Sequence, residues 1–266
     1  MTGPGGAVGS KAEQKEWPQF LFDRHVVRVG ALLTASPIAA VLLAASRIVG
    51  VLLAAPRTEE GMTCPWKEIP YWEYESHMTE IGQAQVLSDL TKHCLEKHRP
   101  ERFALLGCAT GNGLEHVDPA CTRYVYAIDI NPSFLARTRD RFANKVCGLE
   151  TICLDIQNDE LMMKDIDLFF VGLVLEYVDP RIALDKVIGT LSHRGIVVVV
   201  IQKNHGTSFV SKTKYKSLEK LGEISWAVDE RAVDEWIRSR DLVLVKRDEL
   251  RLTDHKSFVV VEYWRV

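Results

Sequence analysis

The sequence predicts an α/β fold: a mostly parallel sheet with helices on both faces, closed by an antiparallel hairpin at its C-terminal end. Three observations carry this. Beyond residue 62, short apolar runs alternate with segments of helical period. Residues 196–201, IVVVVI, show no polar alternation, so both faces of that strand must be covered. The last two apolar runs, residues 242–247 and 257–264, are joined by too short a loop for a helical crossover and should pair antiparallel.

The elements follow in order. Val86, Leu87, Leu90 and Cys94 fall at offsets 0, 1, 4 and 8, an apolar stripe on a helix before the first strand at residues 103–106. The loop GCATGNG, residues 107–113, should open a short helix over residues 112–117. Asp118-Pro119 ends it, because a residue before proline avoids the helical region. Residues 123–129, RYVYAID, form the second strand, and Asn131-Pro132 reads as an N-cap with proline at the first helical position. Phe134, Thr138 and Phe142 stack along that helix; residues 149–155 and 166–172 form the third and fourth strands. Asp179-Pro180 repeats the capped start, with Leu184, Val187, Ile188 and Leu191 at offsets 0, 3, 4 and 7, and Gly195 ends the following turn. Asp229 caps a helix over residues 230–240 with Val233, Trp236 and Ile237 inward. Counting the C-terminal pair, seven strands are expected.

A net charge of −3 gives no global case for nucleic-acid binding. The six cysteines, Cys64, Cys94, Cys108, Cys121, Cys147 and Cys153, form no C-x-x-C pair, which fits a reducing compartment. No metal site is expected: Cys94 and His98 share a helix spacing but lack further ligands.

Residues 1–61 have another character. Residues 29–46, VGALLTASPIAAVLLAAS, carry no charge, and from Arg24 to Arg57 there are four arginines and no acid. Three readings compete: an extension upstream of a natural start at Met62, a membrane-associating segment within residues 29–56, and a secretion signal, which the long charged lead-in disfavours. A membrane helix needs about 20 apolar residues, and here Pro37 and Arg47 interrupt the run. The expected organisation is an extension over 1–61 and one domain over 62–266.

The glycine loop narrows the ligand. A triphosphate-binding loop needs Lys-Ser/Thr after its last glycine; Leu114-Glu115 stands there, and a carboxylate would repel phosphate. The spacing G-x-x-x-G-x-G also departs from the G-x-G-x-x-G dinucleotide form, although a nicotinamide-dependent oxidoreductase stays open as an alternative.

Five segments in order, LLGCATGNG, YAIDINP, CLDIQN, FFVGLVLEYVDP and LSHRGIVVVVIQ, give a resemblance to the class I S-adenosylmethionine-dependent methyltransferases, compact bacterial-type members in particular. It covers roughly residues 66–266 and implies a Rossmann-like seven-stranded sheet. It implies that Gly107, Cys108, Ala109, Gly111 and Gly113 pass under the methionine and ribose of S-adenosylmethionine. Asp129 would accept the ribose hydroxyls, Ile130 would pack on the adenine, and Asp155 and Ile156 would bind the adenine edge and face. Gly172 would also contact the cofactor. Two positions depart from the family pattern: Leu105 stands where relatives carry an acid, and Ala109 where the middle glycine is usual.

Methyl transfer from a sulfonium needs alignment and, for a protonated nucleophile, a base. The segment from Gly172 to Tyr177 lacks the Asn/Asp-Pro-Pro-aromatic motif that clamps amide or nucleobase nitrogens. Glu176 and Tyr177 are its polar candidates for orientation or proton removal, with a cap or salt bridge the alternative for Glu176. Tyr71, Trp72 and Tyr74 precede the first predicted helix, where relatives carry a lid, and Tyr71, Tyr74 and His205 are the candidate substrate contacts. Lys203, Lys212, Lys214, Lys216 and Lys220 are diluted by Glu219 and Glu223 and read as a solvated helix face. The expectation is a cytoplasmic enzyme methylating a small molecule, with a non-catalytic S-adenosylmethionine-binding protein as the rival from another class.

Overall fold

The computed structural model describes residues 64–266. The apolar runs at 29–46 and 48–56 and the expected boundary at Met62 lie outside the described residues.

A 3-10 turn at Pro65–Glu68 leads into α1 (Tyr71–Glu80) and α2 (Gln83–His98). The chain continues through β1 (Arg102–Leu106), β2 (Tyr124–Asp129), α3 (Pro132–Phe142), β3 (Leu149–Cys153), β4 (Ile166–Gly172), α4 (Pro180–Thr190) and β5 (Leu191–Asn204). It ends with α5 (Lys216–Ile224), α6 (Glu230–Arg238), β6 (Leu242–Thr253) and β7 (Lys256–Arg265). The seven strands form one sheet in the order β3-β2-β1-β4-β5-β7-β6. β1 to β5 pair parallel, while β7 lies between β5 and β6 and pairs antiparallel with both.

Strand side chains alternate between two apolar layers, as the pleat requires. On one face Ala104, Leu106, Phe169, Val171, Val197 and Val199 meet Leu184, Val187 and Ile188 of α4 and Val233 and Ile237 of α6. On the other, Phe103, Leu105, Leu168, Phe170, Val198 and Val200 meet Cys94 and Leu95 of α2 and Leu135 and Phe142 of α3. The unbroken apolar run in β5 has its cause here: Val197 to Ile201 are at most 1% exposed, with helices above and below.

All three predicted helix caps form. Asn131 Oδ1 accepts the N–H groups of Ser133 and Phe134, Asp179 that of Arg181, and Asp229 those of Arg231 and Ala232. Each such cap contributes about 1 kcal/mol.

The structure differs from expectation at several places. The helix expected over 112–117 is a single 3-10 turn, Leu114–His116, because Gly113, inside that span, takes φ 91° and a regular helix cannot run through it. β3 stops at Cys153, where pairing with β2 ends, so Asp155 lies in the following loop. β5 begins at Leu191, and the turn expected at Gly195 is an irregularity in its pairing with β4, with Arg194 at φ 78°. α6 stops at Arg238, and β6 runs on through charged residues to Thr253 as the edge strand. The aromatic segment at 71–74 is itself helical, the first turns of α1. Lysines of the basic stretch are paired with acids: Lys203 with Glu230, Lys214 with Glu80 and Lys220 with Glu68.

Candidate functional site

The strand order reverses between β1 and β4, and a cavity of about 790 Å³ opens at the carboxyl ends of the parallel strands. That is where open α/β sheets place ligands. Leu106 and Gly107 from β1, Asp129 and Ile130 from β2, Asp155 and Ile156 after β3, Gly172 and Leu173 from β4, and Gln202 from β5 all line it.

The loop after β1 is drawn over the end of β2, with Gly107 and Cys108 N–H both donating to Ile128 O. Gly107 has φ 70°, and a Cβ there would lie 2.4 Å from Val174 Cγ2, so only glycine leaves the cavity floor its present shape. Ala109 holds φ 46°, the left-handed conformation that a glycine adopts without cost. Asp129 stabilises that bend. Its Oδ2 accepts Ala109 N–H at 2.8 Å and its Oδ1 accepts Asn131 N–H at 2.9 Å. Burial pushes its carboxyl up to about 6, against the pull of those N–H groups. Each oxygen keeps capacity for a further donor, which suits a vicinal diol. In the neighbouring loop after β3, Asp155 accepts Gln157 N–H at 3.0 Å and Asn158 Nδ2 at 2.9 Å.

Aromatic rings continue from this floor. Trp66 lies edge-on to Tyr177 at 4.9 Å and to Tyr74 at 6.0 Å, Tyr74 sits 5.1 Å from Phe134, and Tyr177 lies 5.7 Å from Phe209. Burial raises the Tyr177 phenol well above its ordinary value, and the neighbouring Glu176 and Tyr74 add to it.

Residues 105–199 match the family model described as a methyltransferase domain. Over these residues the chain is similar to a methyltransferase domain. No curated protein matches the chain in sequence. Among solved structures, the N-methyltransferase NodS from Bradyrhizobium japonicum WM9, in complex with S-adenosyl-L-homocysteine, is similar at 18% identity and a TM-score of 0.50 over 70% of this chain and 86% of that one. The geranyl diphosphate C-methyltransferase from Streptomyces coelicolor A3(2) is similar at 12% identity and a TM-score of 0.53 over 67% and 77%. The [4+2]-cyclase SpnF is similar at 12% identity and a TM-score of 0.53 over 68% and 81%. At these identities the likeness is one of fold.

S-adenosylmethionine is the donor used by methyltransferase domains of this class, and the cavity fits it: a glycine floor, an anchored acid at the end of β2 and an apolar wall at Ile130 and Ile156. Several residues expected at the site stand off the cavity wall. Gly111 and Gly113 serve helix packing. A Cβ on Gly111 would come 2.8 Å from Phe142 Cε2 of α3, and one on Gly113 would come 2.6 Å from Thr91 Cβ of α2. Cys108 is turned into the α2–α3 layer, where burial raises its thiol well above the ordinary value. Tyr71 is partly exposed beneath the Arg137 guanidinium, 5.5 Å away, and His205 sits in a turn with its ring 3.5 Å from Ser257 Oγ. Neither lines the cavity.

Glu176 is also off the cavity wall, and it neither caps a helix nor forms an ion pair among the described residues. It is fully buried, with Oε1 accepting Gln202 N–H at 2.6 Å and Oε2 without a hydrogen-bond partner. Burial pushes its carboxyl up to about 7. Tyr74 and Tyr177 do line the cavity, joined by residues the sequence reading passed over: Trp66, His77, Gln83, Phe209 and Trp226. Among the described residues no cluster of His, Cys, Asp or Glu could hold a metal ion, and no helix is long and apolar enough to cross a membrane.

Proposed function

We propose that this domain transfers the methyl group of S-adenosylmethionine to a small-molecule acceptor, with Asp129 accepting the ribose hydroxyls. The observation that carries the reading is the anchored pair of Asp129 oxygens beside the Gly107 floor, inside a cavity large enough for donor and acceptor together. Gly107, Ala109 and Gly172 provide close approach to the methionine and ribose. Ile130 and Ile156 flank the adenine, and Asp155 accepts from its amino group. Cys108, Gly111 and Gly113 act through the shape of the loop. Bound donor brings a methyl already activated by a sulfonium, so the chain's task is alignment and exclusion of water.

Relatives of this fold include proteins named for geranyl diphosphate C-methylation and for N-methylation. Both names fit a small acceptor in a cavity of this size. We place the domain at residues 62–266 in a cytoplasmic protein, with residues 1–61 an extension whose membrane affinity is tested by comparing partitioning of the full chain and of a chain starting at Met62. For the activity, calorimetry with S-adenosylmethionine, S-adenosyl-L-homocysteine and NADH is decisive. Binding of both adenosyl ligands supports the reading, and selective binding of NADH overturns it.

A further inference from the structure

α1 and its C-cap Ile81 present Tyr74, His77, Met78 and Ile81 to the cavity, at offsets 0, 3, 4 and 7. Tyr74 stands at the donor end, close enough to Asp129 to feel its charge. His77, one turn on, faces the other end, where Gln83, Gln202, Phe209, Val210 and Ser211 also line the wall. Its side chain is only 5% exposed and makes no hydrogen bond to any described residue. An imidazole with two polar nitrogens and no hydrogen-bond partner among the described residues, set in the wall of a ligand cavity, is free to take a polar group of a bound molecule.

The surroundings define that group. Met78, Ile81, Val210, Leu221 and Trp226 add apolar surface to the cavity lining. The Gln202 amide is held on both sides: its Oε1 accepts Gln83 Nε2 at 2.9 Å, and its Nε2 donates to Asn204 Oδ1 and to Phe209 O. Lys256 Nζ is held by Phe209 O and Ser211 Oγ. Burial, aided by the Lys256 charge from β7 and opposed by Glu80 on α1, holds the His77 imidazole below its ordinary value, which favours its neutral form. Glu80 is itself paired with Lys214 and Tyr215, and Glu223 of α5 lies in the same wall.

We propose that His77 is the general base of the transfer, removing the proton from the hydroxyl or amine of an otherwise apolar acceptor held between α1, α5 and the end of β5. This rests on the methyltransferase reading above. The acceptor oxygen or nitrogen forms its bond to the methyl carbon as the carbon–sulfur bond breaks, and that electron pair stays on sulfur, which becomes a neutral thioether. The acceptor's proton goes to the free imidazole nitrogen of His77, so the positive charge lost from sulfur reappears on the imidazolium.

The test uses the full chain, S-adenosylmethionine carrying a ¹³C methyl group, and 2-naphthol and 2-naphthylamine as probe acceptors. Wild type should methylate at least one probe, and H77Q should lose roughly 10²–10⁴-fold in kcat, the range for a general base. H77Q should bind S-adenosyl-L-homocysteine unchanged by calorimetry, and the acid limb of the wild-type rate should coincide with the His77 titration seen by NMR. Probe binding to the protein loaded with S-adenosyl-L-homocysteine should shift the His77 ring resonances. The proposal is overturned if H77Q keeps kcat within about threefold, if the acid limb follows another group, or if neither probe is bound or methylated. Failure of wild type to bind either adenosyl ligand would instead overturn the methyltransferase reading, a separate result.

Discussion

Replacing Glu176 with glutamine should stabilise the protein at alkaline pH and do little in acid. Its carboxyl is fully buried, one oxygen has no hydrogen-bond partner, and its pKa rises from 4.5 to about 7 through burial. The folded state therefore holds this proton at pH values where the unfolded chain has released it. The group's stabilising contribution is complete below 4.5 and is lost as pH rises through 7. At about 1.4 kcal/mol per pH unit, the displacement costs the folded state ~3 kcal/mol above pH 7. Glutamine keeps an oxygen for the Gln202 N–H and carries no charge. Urea unfolding followed by circular dichroism at about pH 5 and about pH 8 should show the variant gaining roughly 2–3 kcal/mol relative to wild type between the two conditions. With a urea slope of about 2–3 kcal/mol per molar, that is a midpoint shift near 1 M. An offset between variant and wild type that is equal at both pH values would refute the reasoning.

Other outcomes follow from the loop and its acid. D129A should weaken S-adenosyl-L-homocysteine by roughly 10–100-fold in calorimetry, the loss expected for hydrogen bonds to a charged acceptor; unchanged affinity would remove Asp129 from the ribose site. Diol donors favour the carboxylate and lower its pKa from about 6. Binding near pH 6 should therefore release a proton, visible as a buffer-dependent enthalpy that vanishes in D129A. G107A should cost roughly 2–4 kcal/mol from overlap and a left-handed backbone. Adding V174A should recover part of that in thermal melts, because the atom met at 2.4 Å is Val174 Cγ2; strict additivity of the two changes would refute the contact.

The central strands were legible because burial on both faces leaves no polar residue to confuse the pattern, as in Val197 to Val200. The caps Asn131, Asp179 and Asp229 were legible because a short acceptor before a helix has few other uses. The far half of β6 was not, since an edge strand such as Asp248–Thr253 alternates charged and half-buried residues and reads as surface. In the glycine loop the residue types were visible and their tasks were not. Gly107 faces the cavity while Gly111 and Gly113 face helices, a division set by side chains from α2 and α3 far along the chain. His77 was hidden for a similar reason. The spacing Tyr74, His77, Met78, Ile81 is a helical stripe in plain view, but only the fold shows that it covers a cavity and not the sheet.

The position of β7 bears on how the chain is made. A ribosome delivers β6 before β7, yet β6 has no place on β5; its only partner in the sheet is β7. Until residues 256–265 emerge, the outer edge of β5, the most apolar strand, stays unpaired with its N–H and C=O groups bare. Five parallel strands with an open valine edge are a template for pairing between nascent chains. The final residues thus act as a latch on vectorial folding, and chains interrupted shortly before residue 256 should aggregate despite containing every residue that lines the cavity.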